Sequence, residues 1–277
     1  MSALKSILDY QAGNIAWLLD LAEIPNLLWG WKALALIQQD HGVAEIEFVI
    51  PAPFAEAAIL ALEITKYPLC VDPNCHELDQ LRYNDSDPDN LCAYRFDTHH
   101  PLGFSHFHLY FLECGPVLLT LYRQCDILPW LPALRTGPLP KDDPHIILSS
   151  RVTSPFHSDA NECNTPHTYS TAAQYPIRIL NPNAFTESII RLLSRDIYAN
   201  SDLVLLWHIW LITLQDTEGY RKTLPRRFQR AWECYMAKRP GCERECISMT
   251  QLGKNLVDNG EWPGSGFAGR ETWVCWP

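Results

Sequence analysis

The chain has 277 residues, 47% of them hydrophobic, which is enough to build one large core or two modest ones and excludes extensive disorder. Its 22 Lys plus Arg against 32 Asp plus Glu leave a net charge of -10 and a pI near 5.4. That balance disfavours nucleic acid as a partner, because tracking a phosphate backbone relies on Lys and Arg releasing counterions.

Leu4, Ile7, Leu8, Ile15, Leu18, Leu19 and Ala22 recur at three- and four-residue steps, predicting a core-facing helix over residues 1–23 with a break or bend at Gly13-Asn14. This opening carries Lys5, Asp9 and Asp20 and does not read as a signal peptide, so a cytoplasmic location with reduced thiols is expected. Pro25 ends the helix, Asn26 to Trp29 reads as a short buried strand, and Gly30 turns the chain into a second helix over Lys32 to Gln39. Val43 to Ile50 is the clearest strand. Its period of two puts Glu45 and Glu47 on one face and Ile46, Phe48 and Ile50 on the other.

A third helix follows from Pro53 to about Thr65, then a weaker strand near Leu69 to Val71. Asp72 to Asn90 is polar and turn-rich, predicting a surface loop. Within it Asp85-Ser86-Asp87-Pro88-Asp89 resembles the start of a calcium loop, but Asn90 and Phe96 stand where that loop needs Gly and a bidentate Glu. Strands are expected near Leu91 to Phe96 and Phe104 to Glu113, the second paired with Val117 to Leu121 as a hairpin around Gly115-Pro116. A proline-rich crossing segment leads to a strand at His145 to Leu148, and Arg151 to Gln174 is irregular.

Pro176 to Leu180 looks extended, and Asn181-Pro182 is a helix start, with Asn as cap and Pro in the first turn. Phe185, Ile189, Leu192, Leu193 and Ile197 form that helix's apolar stripe; Ser201 caps the next helix, and Arg226 to Met236 forms another. The most apolar run, Leu203 to Leu214, is too short to span a bilayer, so no membrane association is expected. The tail from Pro263 is Gly-rich but carries Trp273 and Trp276, which predicts that it packs.

The segments Leu28-Trp29-Gly30-Trp31-Lys32-Ala33-Leu34 and Glu45-Ile46-Glu47-Phe48-Val49-Ile50 set a Gly turn before a helix and two acids one residue apart on the next strand. This order resembles the nucleotidyltransferase superfamily, notably its small-molecule and antitoxin-like members and a set of uncharacterised fungal proteins. Tyr175 to Leu180 leading into Leu192 to Asp196 echoes the family's helical half. The resemblance implies an α/β fold: a nucleotidyltransferase-like mixed sheet with flanking helices in residues 1–150, then a mainly helical lobe with an ordered tail in 151–277. It implies metal ligation by Glu45 and Glu47; the candidate substrate contacts are Gly30 and Lys32 at the turn, with Trp29 and Trp31 walling an apolar pocket.

The chain departs from the family pattern at three points. Trp31 replaces the second small residue of the phosphate turn, both metal acids are Glu, and the strand expected to carry a third acid reads Ser105-His106-Phe107-His108. A bulky indole obstructs approach of phosphate to backbone, and two-metal phosphoryl displacement needs several carboxylates. Asp97 or Glu113 remains as a substitute third acid.

These departures favour a degenerate site reused for acid–base chemistry, of lyase, isomerase or cyclase type, on a specialised metabolite. Its catalytic group would be Glu45, Glu47, His106 and His108. Arg226 and Arg227, in a basic cluster with Arg221, Lys222 and Arg230, are candidate contacts for an anionic substrate, or simply a solvated helix end. His99-His100 extends the histidine cluster, while Cys234, Cys242 and Cys246 lack the spacing of a zinc module. A metal-dependent nucleotidyltransferase and a noncatalytic binding or regulatory protein stay open as alternatives. No Gly-x-Ser-x-Gly, Walker loop or dinucleotide fingerprint occurs.

Overall fold

A computed structural model describes residues 2–38, 45–72, 75, 103–111, 115–151, 175–199, 203–215, 224–236 and 244–262. The expected strand at Leu91 to Phe96, the acidic loop at Asp85 to Asp89, His99-His100, Asp97, Glu113, Ser201, Arg221, Lys222, Cys242 and the tail from Pro263 lie outside them, as does nearly all of the irregular stretch after Arg151.

Helix α1 spans Ser2–Leu21 and continues unbroken through Gly13, where a break or bend was expected. A β-carbon there would meet the Tyr175 carbonyl at 3.4 Å, so the glycine serves a close crossing of two chain segments. Strand β1 (Leu27–Trp29) leads directly into helix α2 (Gly30–Gln38), with Gly30 at φ +71, a conformation other residues adopt only at a cost. Strand β2 (Glu45–Ile50) is buried along its whole length, and a short 3₁₀ turn passes it into helix α3 (Ala55–Ile64).

Strands β3 (Ser105–Phe111) and β4 (Gly115–Arg123) form the expected antiparallel hairpin. Gly115 and Pro116 are already paired with Phe111 and Tyr110 instead of making the turn. Burial of Phe107 and Leu109 with Val117, Leu119 and Leu121 sets this register, since a slip of one residue would turn every one of them outward. A single helical turn, α4 (Gln124–Ile127), follows. The Gln124 side chain holds the next loop by donating to the Leu131 and Pro132 carbonyls and accepting from the Leu134 N–H.

Strands β5 (Ile146–Leu148) and β6 (Arg178–Leu180) complete a six-stranded mixed sheet in the order β3-β4-β2-β1-β6-β5. β1 runs parallel to β6 and β2 parallel to β4; the remaining neighbours are antiparallel. The sheet therefore draws on both of the expected lobes, because β6 lies beyond residue 150. Arg178 anchors this junction with two hydrogen bonds to Asp20 of α1, at 2.6 and 2.9 Å, while the Tyr175 hydroxyl donates to the same carboxylate.

Helix α5 (Pro182–Ala199) starts as its sequence dictates, with the Asn181 side chain accepting the Ala184 N–H at 2.9 Å. It packs on α6 (Val204–Gln215), α7 (Arg226–Met236) and α8 (Arg244–Asp258). Helix α8 was not among the predicted elements, although Met249, Leu252 and Leu256 are buried at helical spacing. The apolar run at Leu203 to Leu214 forms α6, burying Leu206, Trp207, Trp210, Leu211 and Leu214. Trp29 packs at a tilt against Phe185 and Trp210 with centroids 5.0 and 5.8 Å away, joining the sheet to α5 and α6.

Among the described residues no helix is long and apolar enough to cross a membrane. Cys70, Cys75 and Cys234 are free thiols, whereas Cys125 is disulfide-bonded, a departure from the reduced state expected for every cysteine.

Candidate functional site

Trp29 stands directly across from Glu47 in the β1–β2 ladder, so both project from the same face of the sheet. The aromatic contacts of Trp29 make this the face that meets α5 and α6. Glu45 belongs to the same face by the period of two, and the adjoining positions on β4 are Leu118, Thr120 and Tyr122.

Both acids are buried, Glu45 to 6% exposure and Glu47 to 3%. The carboxylate of Glu47 reaches to the start of α2, where Oε2 accepts the Trp31 N–H at 3.1 Å and Oε1 accepts the Tyr122 hydroxyl at 3.0 Å. A helix N-terminus favours negative charge because its first amide groups have no intrahelical acceptor. Here the protein's own side chain supplies that charge, packed against the bare α-carbon of Gly30.

The remaining candidates separate into distinct surroundings. Lys32 is buried and ion-paired with Asp9, tying α2 to α1. Trp31 packs edge-on to Trp210 at 5.4 Å, half-buried beside the core. Arg226 opens α7 on its exposed side, and Arg227 pairs with Glu261, which also accepts from Arg191 at 3.3 Å. That pairing holds the Glu261 carboxyl below its ordinary range.

His106 and His108 share the sheet face of Glu45 and Glu47 but stand on β3, with β4 between. Across two strand spacings the backbones are roughly 9–10 Å apart. The imidazoles gather instead with two thiols at the sheet's outer edge, where Cys75 Sγ lies 3.5 Å from His108 Nε2. The strand order thus groups Gly30, Trp31, Glu47 and Tyr122 at one point, and His106, His108, Cys70 and Cys75 at another.

The divalent metal implied at Glu45 and Glu47 fits this donor set poorly. Both oxygens of Glu47 already accept protein hydrogen bonds, and the facing positions Leu118 and Thr120 carry no carboxylate. Two-metal chemistry on phosphates needs several carboxylates on the ions.

Compared with known proteins, the chain matches no family model, no curated protein and no solved structure. Its site therefore rests on its own geometry.

Sequence reasoning missed Tyr122, Asp9, Cys70 and Cys75. Tyr122 carried no signal, because its meeting with Glu47 depends on β4 pairing parallel to β2. The cysteines did carry one: Cys70 and Cys75 have four residues between them and lie upstream of a His-x-His strand.

Proposed function

We propose that this chain is a nucleotidyltransferase-like protein that has given up nucleotidyl transfer and handles another small molecule on the same sheet face. The observation that carries the reading is the bond from the Trp31 N–H to Glu47 Oε2. In the superfamily that the Gly turn resembles, the helix N-terminus cradles a triphosphate. Here a carboxylate of the chain itself fills that position, and a second anion there would be repelled by it at short range in a poorly screened setting.

Proton transfer is the chemistry left to such a site. Glu45, Glu47 and Tyr122 supply two carboxylates and a phenol on one face, with Tyr122 already hydrogen-bonded to Glu47. His106 and His108, expected in the same catalytic group, stand instead on β3 beside Cys70 and Cys75. A second reading, a noncatalytic binding protein, is favoured by one fact: both glutamates are nearly inaccessible, and Glu47 caps a helix as a structural side chain would.

The deciding experiment is calorimetric titration of ATP into the full chain, with and without Mg or Mn. No heat of binding under either condition is expected. Metal-dependent binding that vanishes in Glu45→Gln/Glu47→Gln would restore the nucleotidyltransferase. The two surviving readings part on thermal stability of Glu45→Gln. A higher midpoint marks an acid kept for chemistry at a cost to the fold, and a lower one marks a structural acid.

A further inference from the structure

Strand β3 is an outer strand of the sheet, and an uncovered outer strand offers unpaired backbone groups to any other chain. The segment Pro68–Cys70 covers part of it. Leu69 bridges Phe107 in antiparallel sense, the Cys70 N–H donates to the His106 carbonyl at 3.0 Å, and the His108 N–H donates to the Pro68 carbonyl at 3.1 Å.

This pairing has a chemical consequence. Residues directly opposite in an antiparallel pair share a face, so Cys70 and His106 project to the same side, and His108 joins them by the period of two. Cys75 is buried and stands 3.5 Å from His108 Nε2. The two imidazole rings meet edge to face, with centroids 5.5 Å apart and 66° between their planes.

One ligand atom from each of Cys70, Cys75, His106 and His108 can be chosen so that all lie within 4.8 Å of one another. A tetrahedral zinc with metal–sulfur bonds near 2.3 Å and metal–nitrogen bonds of 2.0–2.1 Å has edges of about 3.8 Å between sulfurs and about 3.6 Å between sulfur and nitrogen. The observed Cys75–His108 separation already has the length of such an edge. Two thiols and two imidazoles form a borderline-soft set suited to Zn²⁺ and unsuited to Mg²⁺ or Ca²⁺.

We propose that Cys70, Cys75, His106 and His108 form a structural zinc site that clamps Pro68–Cys70 onto the outer edge of β3. Four protein ligands close the coordination shell, leaving no open position for catalysis. On binding, the two thiols give up their protons and the metal takes the thiolates, so occupancy rises with pH. The site is independent of the Glu47 region and of the reading given to it, because β4 stands between them.

The test begins with the wild-type full chain, purified under reducing conditions without chelator, and its metal content measured by mass spectrometry. About one zinc per chain is expected, released in full when a mercurial titrates the thiols. Stripping with EDTA should lower the thermal midpoint, and added Zn²⁺ should restore it. Co²⁺ in place of zinc should give tetrahedral d–d bands with thiolate charge transfer, a readout that needs no variant to fold.

Cys70→Ser and His108→Ala should each lose the metal, while Cys234→Ser, at an exposed free thiol elsewhere, should keep it. Zinc far below one per chain with a midpoint indifferent to EDTA would overturn the proposal. So would a Cys70–Cys75 disulfide in peptide mapping of protein never exposed to oxidant, or iron or copper bound in place of zinc.

Discussion

Gly30 and Glu47 share a single site: a β-carbon added to Gly30 would fall 1.4 Å from Glu47 Oε2. Nothing but the α-hydrogens of Gly30 fits between the start of α2 and that carboxylate, and the backbone there is left-handed as well.

Gly30→Ala should accordingly lose about 3 kcal/mol of stability. Roughly 1–2 kcal/mol comes from the left-handed conformation, and the rest from displacing the buried carboxylate off its donors, about 1–3 kcal/mol. Denaturant unfolding measures this. Combining Gly30→Ala with Glu47→Ala should recover the steric part only. A double variant whose loss equals the sum of the two single losses would show that the glycine and the carboxylate do not compete for space.

Tyr122→Phe removes one donor from Glu47 and should cost about 1–3 kcal/mol, because the carboxylate beneath it is buried. In Glu47→Gln the amide oxygen can accept from Trp31 while its NH₂ donates to the Tyr122 oxygen, so the geometry survives and only the charge goes. A loss of about 0.3–1 kcal/mol is then expected, the worth of a charge at a helix N-terminus. Equal losses in the two variants would contradict this account of the site.

Tyr175 gives an alkaline signature. Burial, together with its bond to Asp20, pushes its phenol up to about 12. Since the folded state holds that proton more tightly than the unfolded chain, the contribution is complete below the ordinary tyrosine range near 10 and is lost as pH rises towards 12. Ultraviolet titration of tyrosinate, differenced against Tyr175→Phe, should reveal one late-titrating phenol. Asp20→Asn should bring it down, and should also cost about 3 kcal/mol by stranding Arg178.

Glu261 behaves in the opposite sense. Its bond with Arg227, then the charges of Arg227 and Arg191, hold its carboxyl below the ordinary range. The stabilisation is present above the ordinary glutamate range, near 4.3, and disappears as pH falls through the lower folded value. Glu261→Gln should cost on the order of 1 kcal/mol at neutral pH, since Arg227 keeps much of its solvent. The variant and the wild type should converge in strongly acidic buffer; a constant difference across pH would mean that charge is not what Glu261 contributes.

The sequence by itself determined the features that depend on neighbours a few residues away. Asn181 and Pro182 had to start α5, Phe185, Ile189, Leu192 and Leu193 had to make its buried stripe, and alternation along β2 had to keep Glu45 with Glu47. Capping, helical periodicity and strand pleat are short-range effects, readable from local spacing. The tertiary structure alone decided which strands became neighbours. It set β4 between the glutamates and the histidines, brought Tyr122 to Glu47, slid β6 beside β1 and paired Leu69 with Phe107 so that two cysteines joined His106 and His108. Such pairings join residues up to about 150 positions apart through backbone hydrogen bonds and core burial, as Leu28 and Ile179 do here, and no pattern within a few residues encodes them.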